Sequence, residues 1–191
     1  MRTLRVLALL LCASTLALAA SGCGGGGKSF SGAKPDVWAA TVCGAVGTWT
    51  QGLKASSAQL SSGLSGETDL KVVKARFVSF LETAETSSEA MVTTISAAGA
   101  PAVKDGAAIQ NDLVTGLEAA QASFTHAVAR AKKLSTTDPQ AFATGVQALG
   151  SDVQKELTDV GTRFNTLGDK YDDTSLNKAT SEEPACSMIN G

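Results

Sequence analysis

Few side chains in this chain of 191 residues offer chemistry: it contains four cysteines, one histidine and two tryptophans. Cysteines form stable disulfides in oxidising compartments, whereas in reducing compartments they more often bind metals or catalyse reactions. Cys12 and Cys23 lie close to the N-terminus, Cys43 follows twenty residues later, and Cys186 lies near the C-terminus. The chemistry of these cysteines depends on the cell compartment, and the N-terminal segment indicates which compartment the chain enters.

Residues 1–22 have the composition of an export signal, with Arg2 and Arg5 followed by an apolar stretch and then small residues. The segment ends in Ala-Ser-Gly directly before Cys23. This ending resembles the lipobox of bacterial lipoprotein precursors. The resemblance implies that Cys23 receives a thioether-linked diacylglycerol and becomes the first residue after cleavage. We therefore expect a lipid-anchored protein on the extracytoplasmic face of the cell membrane.

Cysteine parity favours lipidation over ordinary secretion. Cleavage after Ala19, an alternative small-residue site, would leave three thiols in an oxidising compartment, where an unpaired cysteine is unusual. If Cys23 carries the lipid, Cys43 and Cys186 remain as a pair. The mature chain then has 169 residues and a formal charge of −4. Residues 23–35 are rich in Gly and Ser and are predicted to form a flexible tether.

The segment from Gly22 to Ser29 matches the phosphate-loop pattern G-x-x-x-x-G-K-[ST]. Phosphate binding by such a loop needs a buried strand before it and a helix after it. Here the export signal precedes the glycines, and cleavage before Cys23 removes Gly22. We therefore predict that the chain binds no nucleotide.

No residues have the spacing of a catalytic or metal site. His126 lies off the predicted apolar stripe and has no cysteine or carboxylate partners at ligand spacing. The sequence around Ser65 fails the G-x-S-x-G pattern because Glu67 replaces the last glycine. The basic residues are too few and too scattered for a nucleic-acid partner. We expect neither enzymatic activity nor a metal or cofactor.

From Asp36 onward, apolar residues recur at alternating steps of three and four, the period of amphipathic helices. Three short breaks separate four such stripes, and Asp138 followed by Pro139 marks the start of the fourth helix. The pattern predicts an all-α fold, an antiparallel up-down-up-down four-helix bundle over residues 36–171. Residues 172–191 are predicted to form a C-terminal strap.

The predicted topology pairs the two remaining cysteines. In an up-down bundle the start of the first helix and the end of the fourth lie together, so we expect a Cys43–Cys186 disulfide. Trp38 and Trp49 are eleven residues apart and therefore share one helix face. They are interpreted as core residues, with a ligand-facing role toward a sugar or lipid headgroup as the alternative.

Glycines inside the predicted helices each cost about 1 kcal/mol relative to alanine, unless they permit something else. The main interpretation is that they allow close helix approach. The alternative is an apolar cavity between helices that accepts a lipid or a small apolar ligand. These glycines are Gly44, Gly47, Gly52, Gly106, Gly116, Gly145, Gly150 and Gly161.

The body of the chain is rich in Ala, Thr, Gly and Ser, and Cys43 lies between Trp38 and Trp49 with Cys186 near the C-terminus. In these features it resembles small lipoproteins of high-GC Gram-positive bacteria, a resemblance that implies no particular activity. The leading hypothesis is a non-enzymatic envelope adaptor that binds a protein partner. The alternative is a carrier of a lipid or apolar ligand. An exposed apolar patch would favour the first, and an open core the second.

Overall fold

A computed structural model describes residues 30–187, apart from several side chains between residues 160 and 168. The predicted export signal, the lipidation site at Cys23 and the phosphate-loop-like segment lie outside this range. Within it the chain is helical and contains no strand beyond one isolated bridge, so the all-α prediction is confirmed. The helices are α1 (Pro35–Leu64), α2 (Leu70–Ala98), α3 (Gly106–Ala131), α4 (Pro139–Lys170), α5 (Thr174–Glu182) and α6 (Pro184–Ser187).

Aspartate side chains cap the N-termini of three of these helices, α2, α4 and α5. The Asp138 carboxylate accepts hydrogen bonds from the backbone N–H groups of Gln140 at 2.9 Å and Ala141 at 3.1 Å. Asp69 and Asp173 cap α2 and α5 in the same way. These caps satisfy backbone donors that a helix start leaves without partners. None of the described helices combines the length and apolarity needed to cross a membrane.

Each long helix packs against the next one along the chain, and α5 and α6 pack against α1. Lys74, near the start of α2, donates a 2.7 Å hydrogen bond to the carbonyl oxygen of Leu134, just beyond α3. At the other end, Ala33 forms a backbone bridge with Pro101 in the connection between α2 and α3. These contacts are compatible with the predicted antiparallel order. Over the described part of the chain α4 packs along α3, whereas it makes no comparable packing with α1.

Two separate clusters of buried apolar side chains form the core. The first includes Trp38, Ile95 and Leu176 and lies toward the start of α1. The second includes Leu81 and Leu149 and lies toward the opposite end. The tail therefore contributes to the first cluster through Leu176 of α5, and its described part forms two short helices.

The predicted disulfide is present and joins Cys43 of α1 to Cys186 of α6, 143 residues apart. Cys186 is buried, and α5 and α6 both contact α1 beside it. The bond therefore fastens the C-terminal helices to the first helix.

Close helix approach explains fewer of the glycines than expected. A Cβ at Gly145 would overlap the side chain of Leu134, and one at Gly106 would overlap the carbonyl oxygen of Pro101. At four other positions a Cβ would meet no neighbouring atom within 4 Å, so close packing is the wrong explanation there. These positions are Gly44, Gly47, Gly52 and Gly150.

Candidate functional site

Trp38 is a core residue that links three segments. Its side chain is only 5% exposed. Its indole N–H donates to the carbonyl oxygen of Gly99 at 3.0 Å and to Oε1 of Gln110 at 2.9 Å. Trp38 thereby connects α1 to the end of α2 and to α3.

Trp49 is half-buried and also uses its polar atom internally. Its indole N–H donates a 2.9 Å hydrogen bond to the hydroxyl of Ser88, which is fully buried in α2. Its ring packs edge-to-face against Phe124 of α3, with the centroids 6.4 Å apart. Both indole N–H groups thus donate to protein acceptors, whereas stacking of a ligand on the rings of Trp38 and Trp49 stays a prediction.

The candidate site is an open cleft between α1 and α4, which we call the α1–α4 cleft. Its volume of about 610 Å³ falls in the range of small-molecule sites. All four long helices contribute to it. Its lining consists of Leu53, Lys54, Ser57, Ala58, Ser61, Phe77, Phe80, Leu81, Phe124, Leu149, Gly150, Val153, Gln154 and Leu157.

The floor of the cleft is apolar and belongs to the packed interior. Leu81, Phe124 and Leu149 are all buried, and Leu81 and Leu149 belong to the second core cluster. Side chains held by core packing keep one arrangement, because protein interiors are packed as densely as organic crystals. The cleft floor is therefore preformed.

Small residues on the two walls keep the cleft open. On α1 the wall includes Ser57, Ala58 and Ser61, which project little beyond the backbone. On α4 it includes Gly150, where even a Cβ would meet no other atom within 4 Å. No large side chain from these positions spans the gap between the helices. Gly150 is thus a helix glycine that lines the cleft.

Polar side chains lie at the mouth of the cleft rather than on its floor. Lys54, Ser57 and Ser61 of α1 and Gln154 of α4 line the cleft, and all four are exposed. The ion pairs found among the described residues do not include Lys54. The cleft therefore combines an apolar floor with a polar rim that carries one lysine.

A second, smaller groove of about 300 Å³ lies between α1 and α2. It is lined mainly by polar side chains, including Gln59, Arg76 and Thr83. Phe80 lines both this groove and the α1–α4 cleft. Lys54 thus lines the α1–α4 cleft, and Arg76 lines this second groove, which we call the α1–α2 groove.

Comparison with known proteins identifies no relative. No protein-family model, curated protein or solved structure matches the chain.

The residues considered for chemistry remain apart from the cleft. His126 is exposed on α3 and does not line it. Over residues 30–187 no group of three His, Cys, Asp or Glu side chains is arranged to hold a metal ion. The cleft lining contains no histidine, cysteine or carboxylate, so its side chains are suited to binding an apolar molecule.

Proposed function

We propose that the chain is a lipid-anchored extracytoplasmic protein that binds an apolar ligand in the α1–α4 cleft. The observation that carries the proposal is the open space between α1 and α4 above a preformed apolar floor. Burial of each methylene group contributes about 0.8 kcal/mol. A ligand that buries roughly ten such groups therefore gains about 8 kcal/mol, which corresponds to a Kd near 1 μM before ordering costs.

The proposed anchor at Cys23 precedes α1 in the sequence, and the cleft lies toward the C-terminal end of that helix. Phe30, the first described residue, comes seven residues after Cys23 in the sequence. Leu53, the first cleft residue, lies 18 residues after Pro35, which is about 27 Å along the helix. About 27 Å of helix therefore separates the start of α1 from the first residue of the cleft.

The distribution of exposed apolar side chains favours ligand binding over the adaptor hypothesis. Among the side chains that the structure describes, the large apolar ones with high exposure are Phe30 at 43% and Val37 at 54%. Both lie where the tether joins α1, rather than at the turns 65–69 and 132–138 at the far end. These turns therefore offer little apolar surface for a protein partner.

A substitution at Gly150 tests the proposal. Leucine at this position would project into open space in the cleft, and it would improve the helix propensity of α4. Gly52→Leu is the matched control, because Gly52 also faces open space but does not line the cleft. We would use the mature chain with Cys23→Ser, which needs no detergent, and the neutral fluorescent probe N-phenyl-1-naphthylamine.

We expect the chain with only Cys23→Ser to bind the probe with a micromolar Kd. Gly150→Leu should weaken binding at least about tenfold and leave the circular dichroism spectrum unchanged, whereas Gly52→Leu should bind normally. Equal binding by the two leucine variants would place the probe elsewhere and contradict the proposal. Absence of probe binding by the parent chain would do the same.

A further inference from the structure

We infer that the α1–α4 cleft takes a single-chain amphiphile with an anionic headgroup, a carboxylate or a phosphate, which Lys54 binds at the rim. This inference rests on the proposed function of the cleft. The volume of about 610 Å³ is that of a site for one molecule of moderate size, which favours one alkyl chain over two.

The arrangement of the lining is itself amphiphilic. Leu81, Phe124 and Leu149 form the buried floor, whereas the polar lining residues are exposed at the mouth. An alkyl chain on the floor would therefore place its polar end beside Lys54 and the hydroxyls of α1. A wholly apolar ligand would form no hydrogen bond or ion pair with these polar groups.

Lys54 is unusual in its own helix. Between Pro35 and Leu64 the charged residues are Asp36 and Lys54, so α1 is otherwise neutral. The positions three and four residues from Lys54 are Gln51, Ser57, Thr50 and Ala58, none of which is a carboxylate that could form a helical ion pair. The lysine thus has no acidic partner at these positions of α1.

Of the three α4 carboxylates near the cleft, two form ion pairs and the third, Glu156, is not part of the cleft lining. Asp152 forms an ion pair with Arg130 of α3, and Asp159 forms one with Lys155 of its own helix at 2.8 Å. The α4 residue with a polar side chain in the cleft lining is Gln154, which is neutral. A positive charge at an apolar site, with no carboxylate in the lining, is complementary to an anionic headgroup.

The hydroxyls of α1 are placed to assist the lysine. Ser57 and Ser61 follow Lys54 by three and seven residues and therefore share its helix face. Serine hydroxyls donate hydrogen bonds to carboxylate and phosphate oxygens, and such bonds are strengthened by the negative charge. Lys54, Ser57 and Ser61 can therefore bind several oxygen atoms of one headgroup at the mouth of the cleft.

Three ligands of equal chain length test the inference: dodecanoate, dodecyl phosphate and dodecanol. Each would displace N-phenyl-1-naphthylamine from the mature chain with Cys23→Ser, below the ligand's aggregation limit. We expect at least one anion to bind roughly five to ten times more tightly than the alcohol. The preferred anion distinguishes a fatty-acid source from a phosphorylated lipid.

Lys54→Gln should reduce the preference for the anion to about one without changing the affinity for dodecanol. Arg76→Gln is the matched control, because Arg76 is also outside the ion pairs of the described residues but lines the α1–α2 groove. It should leave the preference intact.

Each other outcome overturns the inference in a distinguishable way. If the parent chain binds dodecanol as tightly as both anions, the inference fails while the proposed apolar site stands. If Lys54→Gln weakens all three ligands equally, Lys54 shapes the cleft and does not bind a headgroup. If neither the probe nor any dodecyl compound binds, the proposed function fails as well.

Discussion

The hydroxyl of Tyr171 donates a 2.8 Å hydrogen bond to Oδ2 of Asp112, which ties the residue after α4 to α3. Lys170 donates to the same oxygen at 2.9 Å, and its ammonium group lies 4.7 Å from the centre of the Tyr171 ring. Nearer the start of α4, the Arg130–Asp152 ion pair also joins α3 to α4. Polar contacts thus hold α4 to α3 near the middle of α4 and at its C-terminal end, while the cleft separates it from α1.

The Asp112 contacts predict a pH-dependent contribution to stability. The hydrogen bonds from Lys170 and then Tyr171 lower the pKa of Asp112 below its ordinary value. A carboxyl group whose pKa is lower in the folded state stabilises the fold above the unfolded pKa, and this contribution is lost as pH falls through the folded pKa. Asp112→Asn should therefore lower the Tm at pH 7, and the difference should shrink below about pH 4.

Thermal unfolding followed by circular dichroism across a pH series measures this effect. Asp159→Asn is a suitable control, because its exposed pair with Lys155 lies within one helix and links no two elements. A Tm difference for Asp112→Asn that persists unchanged to pH 2 would contradict the prediction.

The disulfide predicts a large loss of stability on reduction. In the chain-entropy model, a bond that closes a loop of 143 residues stabilises the fold by up to about 5 kcal/mol. Replacing both Cys43 and Cys186 by serine should lower the free energy of unfolding by about 2 to 5 kcal/mol in urea titrations. The parent chain under reducing conditions should match the variant. Equal stability of the oxidised parent and the variant would argue against this role.

The anchor prediction concerns Cys23. Cys23→Ala should move the protein from the membrane fraction to the soluble fraction in cells that process lipoproteins, because a lipid chain provides the binding energy. Cys12→Ala should remain in the membrane fraction, since Cys12 lies within the predicted export signal. Membrane retention of the Cys23 variant, measured by fractionation and immunoblotting, would refute lipid anchoring at this residue.

The helix glycines predict opposite effects of alanine at different positions. Gly47→Ala and Gly52→Ala should each raise the free energy of unfolding by about 0.5 to 1 kcal/mol, because their Cβ atoms meet open space. Gly106→Ala should lower it, because its Cβ would overlap the backbone carbonyl oxygen of Pro101, which cannot move aside as a side chain can. Urea titration of the three variants measures this contrast. A loss of stability in all three would show that the α1 glycines have a packing role.

Sequence periodicity predicted the helices well because it reports which positions are buried. The apolar stripes located four long helices, and Asp138 with Pro139 marked the start of α4 correctly. The same periodicity does not specify which helix buries a given face. It therefore did not reveal that α4 packs on α3 and stands apart from α1.

A local signal for the cleft is present in α1. Between Leu53 and Leu60, the positions that face the cleft are Lys54, Ser57 and Ala58, which are too small or too polar to fill a core. This interruption of the apolar pattern of α1 is therefore a sequence signal for the cleft. The helices of the tail were harder to predict, because α5 inserts a single leucine, Leu176, into the core.

The bond between Cys43 and Cys186 makes residues 43–186 a covalently closed ring. A protease that cuts once within this ring, for example in the connection at residues 132–138, produces two pieces that remain joined and migrate as one molecule without reductant. Both pieces also stay attached to the N-terminal segment. If Cys23 carries the proposed lipid, a single cut that separates the intact body from the lipid must therefore fall between Cys23 and Cys43.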